Sequence, residues 1–131
     1  MFEVIKYASE IIKYYREHVE YYLEGQATYG SLGVDLGIST ALLLNPGTDR
    51  NIEVTVIDTG IHLLIPPSYE IQIRIRFSIA KKGIIVPNSL GTIDSDYIDS
   101  DYNGSIKILL YNLTHKYVEI TGRFVQLVLA R

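Results

Sequence analysis

Cysteine is absent from the sequence, which removes a disulfide frame, a thiolate zinc site and a cysteine nucleophile from consideration. No apolar run approaches the roughly 20 residues of a membrane-spanning helix, and the N-terminus lacks the basic, apolar and small-residue order of a signal peptide. The expected location is therefore the cytoplasm, or the host's cytoplasm for a viral protein, with no membrane partner. Excess positive charge is also missing: 12 Lys and Arg stand against 15 Asp and Glu, a formal net charge of −3. Affinity for a nucleic-acid polymer comes mainly from cations that neutralise phosphates, so no such partner is expected, although a local cluster of cations can still hold a small anion. The three histidines, His18, His62 and His115, are too scattered to show a metal-ligand spacing. No Gly-rich phosphate loop, zinc pattern or Ser-His-Asp set is visible.

What remains is an ordinary globular composition, 47% hydrophobic and 21% charged in 131 residues, with no low-complexity block or linker. That length supports one core and one domain. Residues 2–24 carry apolar side chains at Ile5, Ala8, Ile12, Tyr15, Val19 and Tyr22, a spacing that predicts one face of an amphipathic helix ended by Gly25. Lys6/Glu10, Lys13/Glu17 and Arg16/Glu20 then form pairs four apart. Their mixed signs favour packing on the rest of the chain or on a neighbouring subunit over a membrane surface.

Beyond Gly30 the pattern changes to short alternating runs broken by "LNPGTDRN" (44–51), "IDTG" (57–60), "IPPS" (65–68) and "NLTHK" (112–116). This predicts a sandwich or jelly roll. The clearest strand is "EIQIRIRFS" (70–78), with Ile71, Ile73, Ile75 and Phe77 on one face and Arg74 and Arg76 side by side on the other. Strands are also predicted at 104–111, 117–120 and 124–130. A five-residue repeat stands out: Ile93-Asp94-Ser95-Asp96-Tyr97 is followed at once by Ile98-Asp99-Ser100-Asp101-Tyr102.

"ATYGSLGVDL" (27–36), "TGIHLLIPPSYEIQIRIRFSIAKKGI" (59–84), "GTIDSDY" (91–97) and "TGRFVQLVL" (121–129) occur in that order. Together they resemble four of the five motifs of the trimeric dUTPase family, from about Ala27 to the last residue. The most specific is the third, close to G-x-I-D-x-D-Y-x-G. The resemblance implies a mainly β jelly roll (a β-clip) over 26–131, with the predicted helix of 1–25 added to the same domain. It also implies a homotrimer, with dUTP hydrolysed to dUMP and pyrophosphate by water attacking the α-phosphorus, and Mg²⁺ held chiefly by the triphosphate rather than by direct protein ligands.

Carried over position by position, the family's base falls on Asp94 and the tyrosine beneath its deoxyribose on Tyr97, counting forward from Gly83. Counting back from "NGSIKILLYN" puts them on Asp99 and Tyr102 instead. One copy of the repeat is surplus, since an odd insertion cannot stay in a regular strand. Asp94 and Tyr97 are preferred because the hairpin from Ile84 to Thr92 feeds directly into them. The same resemblance assigns Asn88 to the uracil edge, Arg76 and Gln126 to the phosphates, Arg123 to the fourth motif beside Gln126, and Asp35 to the surroundings of the metal-triphosphate. Lys81 and Lys82 can add positive potential.

Two features depart from the family. Phe77 replaces the second-motif hydroxyl that meets the phosphates, and Ser78 faces the other way if the strand is regular. The fifth motif, a Gly-rich arm that closes over the phosphates, is not among these 131 residues. The alternative expectation is thus a non-catalytic dUTPase-like trimer used for binding, regulation or assembly. The chain also resembles dCTP deaminase, a sister family, but Leu109 stands where that enzyme needs a proton-shuttling glutamate, so deamination is not expected.

Overall fold

Val, Ile and Tyr side chains that fit a pleated surface are spread along the chain from its first residues, and strands begin there. The computed structural model describes residues 3–7, 10–25, 33–64, 70–87, 92–94 and 105–130. Its elements are β1 (Glu3–Tyr7), β2 (Glu10–Arg16), β3 (Tyr21–Glu24), β4 (Val34–Leu44), β5 (Glu53–Leu64), β6 (Glu70–Ile75), α1 (Phe77–Ala80), β7 (Ile84–Ile85), β8 (Thr92–Asp94), β9 (Ser105–Asn112) and β10 (Val118–Ala130). They form two five-stranded sheets, β1-β2-β5-β9-β7 and β3-β4-β10-β6-β8. This is the mainly β architecture that the alternating runs predict.

The N-terminal helix is not there. β1 and β2 pair antiparallel, β2 pairs in turn with β5, and β3 pairs with β4. The predicted helical face fails residue by residue: Val19 is 86% exposed, whereas Tyr14 and Tyr21, off that face, are buried at 6% and 8%. Aromatic and β-branched side chains gain more on a half-buried sheet than on a helix, where they lose rotamer freedom. Arg16 and Glu17, predicted to pair within a helix, instead make contacts between elements. Arg16 Nε donates to Glu3 Oε2 at 2.8 Å between β2 and β1, and Glu17 Oε1 lies 2.7 Å from His62 Nε2.

Between the sheets lies an aliphatic core. Leu36, Ile61, Ile106, Ile108, Ile120 and Phe124 are each at 0% exposure. The "NLTHK" turn is held by Asn112, buried at 1%. Its Nδ2 donates to the carbonyls of Asn45 and Lys116, and its Oδ1 accepts from the Thr114 backbone N–H and hydroxyl.

Two predicted breaks are irregularities inside long strands. "IDTG" lies within β5, where the register slips between Asp58 and His62 and Gly60 takes φ +65°. Asp58 Oδ1 accepts from the Gly60 N–H at 3.1 Å and from Ser105 Oγ at 2.7 Å, which holds the distortion without ending the strand. The Ser105 bond, more than the lesser cost of burial, keeps the Asp58 carboxyl below its ordinary value. The strands predicted at 117–120 and 124–130 are one strand, β10, with register shifts at Ile120/Gly122 and Arg123/Val125. "IPPS" lies outside the described residues.

Candidate active site

Leu36 and Ile38 point into the core, so alternation places Asp35 and Gly37 on the opposite, outer face of the second sheet. Cross-strand register extends this into a row. Asp35 lies opposite Glu24 of β3 on one side and Gln126 of β10 on the other, and Gln126 lies opposite Arg74 of β6.

Asp35 is only 2% exposed although it sits on an outer face, because two guanidiniums cover it. Arg76 Nη1 lies 2.8 Å from Asp35 Oδ1, and Arg123 Nη1 donates to Oδ2 at 3.3 Å. Arg123 Nε also stands 3.9 Å from Glu24 Oε2. A buried carboxylate is tolerated only when paired in this way. The cluster draws on three strands and on the residue that follows β6, so it depends on the sheet being assembled.

Arg76 is aimed by the end of its strand. Its backbone is extended (φ −72°, ψ 145°) and its N–H donates to the Phe124 carbonyl at 3.1 Å. The chain then turns into α1, so the strand predicted over 70–78 stops at Ile75. Phe77 consequently leaves the apolar face of β6 and is 79% exposed, with Lys81 Nζ 5.7 Å from its ring centroid. Ser78, in the same turn, is exposed rather than held to the alternation of the strand.

Two glycines leave room for side chains of the site. A Cβ on Gly33 would stand 2.6 Å from the Leu127 carbonyl oxygen and 2.7 Å from Gln126 Cγ. The first-motif glycine, just before β4, thus lets the Gln126 side chain approach the backbone there. A Cβ on Gly37 would stand 2.4 Å from Cζ of Tyr22, whose ring covers that position.

Of the other predicted residues, those described lie apart from the cluster. Asp94 lies in β8, its backbone opposite Glu70 at the far end of β6 from Arg76. Asn88, Tyr97, Asp99 and Tyr102 lie outside the described residues. Lys81 covers Phe77, and Lys82 Nζ donates to the Glu119 carbonyl at 3.3 Å. Leu109 sits within β9.

Among the described residues no three His, Asp or Glu side chains converge to hold a metal ion. Asp35 does not fit a directly bound divalent cation either, since both its oxygens already face guanidinium nitrogens. Sequence reasoning missed Glu24 and Tyr22 as neighbours of the cluster, and it set Arg74 beside Arg76 without its register opposite Gln126. The strand-like run "YYLE" was the available signal for the first two, hidden by the helical reading of residues 2–24.

A protein-family model described as dUTPase matches residues 23–131. The chain is 44% identical over 108 residues to the deoxyuridine 5'-triphosphate nucleotidohydrolase of Finegoldia magna, covering 80% of this chain and 70% of the relative. It is 39% identical over 114 residues to the enzyme of the same description from Orientia tsutsugamushi strain Boryong, covering 83% and 70%. Among solved structures it is similar to the dUTPase from Streptococcus mutans, with a TM-score of 0.70 and 24% identity over 98% of this chain and 93% of that one.

Proposed function

Since the chain belongs to the dUTPase family, we propose that it hydrolyses dUTP to dUMP and pyrophosphate. The observation that carries this reading is the buried Asp35 carboxylate shared by Arg76 and Arg123 beside Gln126. Such an arrangement fixes two planar donors on an outer sheet face, where a polyphosphate accepts paired hydrogen bonds.

In this reading a water attacks the α-phosphorus, Asp94 takes the proton, and the bond to the bridging oxygen breaks so that pyrophosphate leaves with the electron pair. Asp99 is the alternative base. Arg76, Arg123 and Gln126 steady the charge on the phosphate oxygens. Tyr97, or Tyr102, supports the deoxyribose, and Asn88 meets the uracil edge. Ser78 adds a hydroxyl in the turn after Arg76. Mg²⁺ belongs to the substrate, travelling with the triphosphate and offsetting its charge.

The working unit is a homotrimer with sites built between copies. Supporting this, Glu70, opposite Asp94, opens the six-residue β6 and Arg76 follows its last residue, a separation of about 20 Å at roughly 3.3 Å per residue. A base must come within hydrogen-bond reach of the water it activates. One copy's Asp94 therefore serves a neighbour's Arg76.

The test is pyrophosphate release from dUTP, compared with dCTP, dTTP and UTP, with and without Mg²⁺. Release selective for dUTP and dependent on Mg²⁺ supports the hydrolase. The exposure of Phe77 in the turn after Arg76 favours a second reading, a non-catalytic dUTPase-like binding protein, and an intact trimer that releases pyrophosphate from none of the four nucleotides would establish it.

A further inference from the structure

Among the described residues beside the cluster, Arg74 is an arginine that the preceding roles leave unused. Strand alternation puts it on the same outer face as Arg76, and register puts it directly opposite Gln126, which brings the two Cβ atoms to about 5 Å. Gln126 is in turn opposite Asp35. Arg74 therefore stands at one end of the row that contains the cluster.

Its ion pairing within the row differs from that of its neighbours. Arg76 and Arg123 are both offset by Asp35, and Arg123 further by Glu24. Arg74 is exposed, and its Nη2 donates at 2.9 Å to Gln72 Oε1, a neutral acceptor. Gln72 Nε2 in turn donates to Glu70 Oε1 at 3.2 Å, so the nearest acid along the strand is reached only through an amide. Among the described residues no carboxylate is in ion-pair distance of Arg74. Of the three arginines beside the cluster, Arg76 and Arg123 have carboxylate partners, and the one without an ion-pair partner among the described residues is Arg74.

We infer that Arg74 is a further phosphate-binding residue of this site, donating to the pyrophosphate portion of a bound nucleotide from beside Gln126. The inference rests on the nucleotide reading above. Gln72 acts as its positioning residue: the amide oxygen orients the guanidinium without neutralising it, so the remaining donors stay available to an anion.

Wild type, Arg74→Ala and Arg74→Lys are titrated with inorganic pyrophosphate and with dUMP, and their kinetics on dUTP are measured. Loss of one charge-assisted pair predicts pyrophosphate binding about 10- to 100-fold weaker in Arg74→Ala, with partial recovery in Arg74→Lys. Binding of dUMP should change much less, and KM for dUTP should rise more than kcat falls. Unchanged pyrophosphate binding, an equal loss for dUMP, or a change of oligomeric state in place of a binding defect overturns the inference. The titration needs no turnover. A protein that binds pyrophosphate through Arg74 yet leaves dUTP intact refutes the hydrolase alone, and one whose wild type binds no pyrophosphate refutes the role of Arg74.

Discussion

Asp35 Oδ1 stands 2.8 Å from Arg76 Nη1, tying the start of β4 to the residue at which β6 gives way to α1. Asp35 is 3% exposed at its side chain and Arg76 30%, so water screens the pair poorly on one side only. Asp35→Asn leaves Arg76 and Arg123 adjacent without the carboxylate between them. Removing one member of a buried pair costs about 3–5 kcal/mol; with the two arginines partly exposed the loss is about 2–4 kcal/mol, which corresponds to a fall in Tm of roughly 5–15 °C. Thermal unfolding followed by circular dichroism reads the loss. Turnover of dUTP should fall as well, because Arg76 loses the contact that aims it.

The two copies of the repeated pentapeptide give a second prediction. Asp94→Asn should lower dUTP turnover by more than about 100-fold, the scale of a lost general base, whereas Asp99→Asn should keep turnover near that of the wild type. The opposite pattern transfers the base to Asp99. Both variants are measured by pyrophosphate release at saturating dUTP.

Phe77 gives a third. It makes few packing contacts at 79% exposure, so Phe77→Ser should alter stability by no more than about 0.5 kcal/mol. Serine at this position restores a hydroxyl next to Arg76, and kcat/KM for dUTP should rise several-fold. A fall in kcat/KM would show that the ring itself contributes to the site.

The fourth concerns pH. Ser105 lowers the folded-state pKa of Asp58 below its ordinary value of about 3.8. A lowered folded pKa contributes stability that is present above the unfolded value and lost as pH falls through the folded one. Ser105→Ala should therefore destabilise the protein near neutrality, by about 0.5–1 kcal/mol given the exposure of Asp58. The gap in Tm from wild type should narrow as the pH drops below 3.8. Melting curves at pH 7 and pH 3 check both the size and the sign.

The legible parts of the fold were those decided by local alternation. β6 could be read directly, since Ile71 and Ile73 are core residues and Arg74 faces outward. The N-terminal segment is not legible in this way, because apolar residues spaced three and four apart also occur in tyrosine-rich paired strands, and only pairing with β5 and β4 separates the two. "IDTG" carries ordinary turn residues, but Asp58 spends its side chain on holding a bulge to Ser105, forty-seven residues away. Within the site, motif order pointed to Asp35, Arg76, Arg123 and Gln126. Arg74 is legible beside Arg76 by the same alternation, but its place opposite Gln126, like that of Glu24 opposite Asp35, follows from strand register between distant segments, which no short stretch of sequence encodes.

The length of β6 carries a last consequence. If a base on β8 and a guanidinium past the other end of β6 must come from different copies, two individually dead proteins can repair each other. Asp94→Asn and Arg76→Ala chains, unfolded together and refolded as a mixture, should recover activity that neither shows alone. Random assortment around a closed ring would make about a quarter of the sites whole.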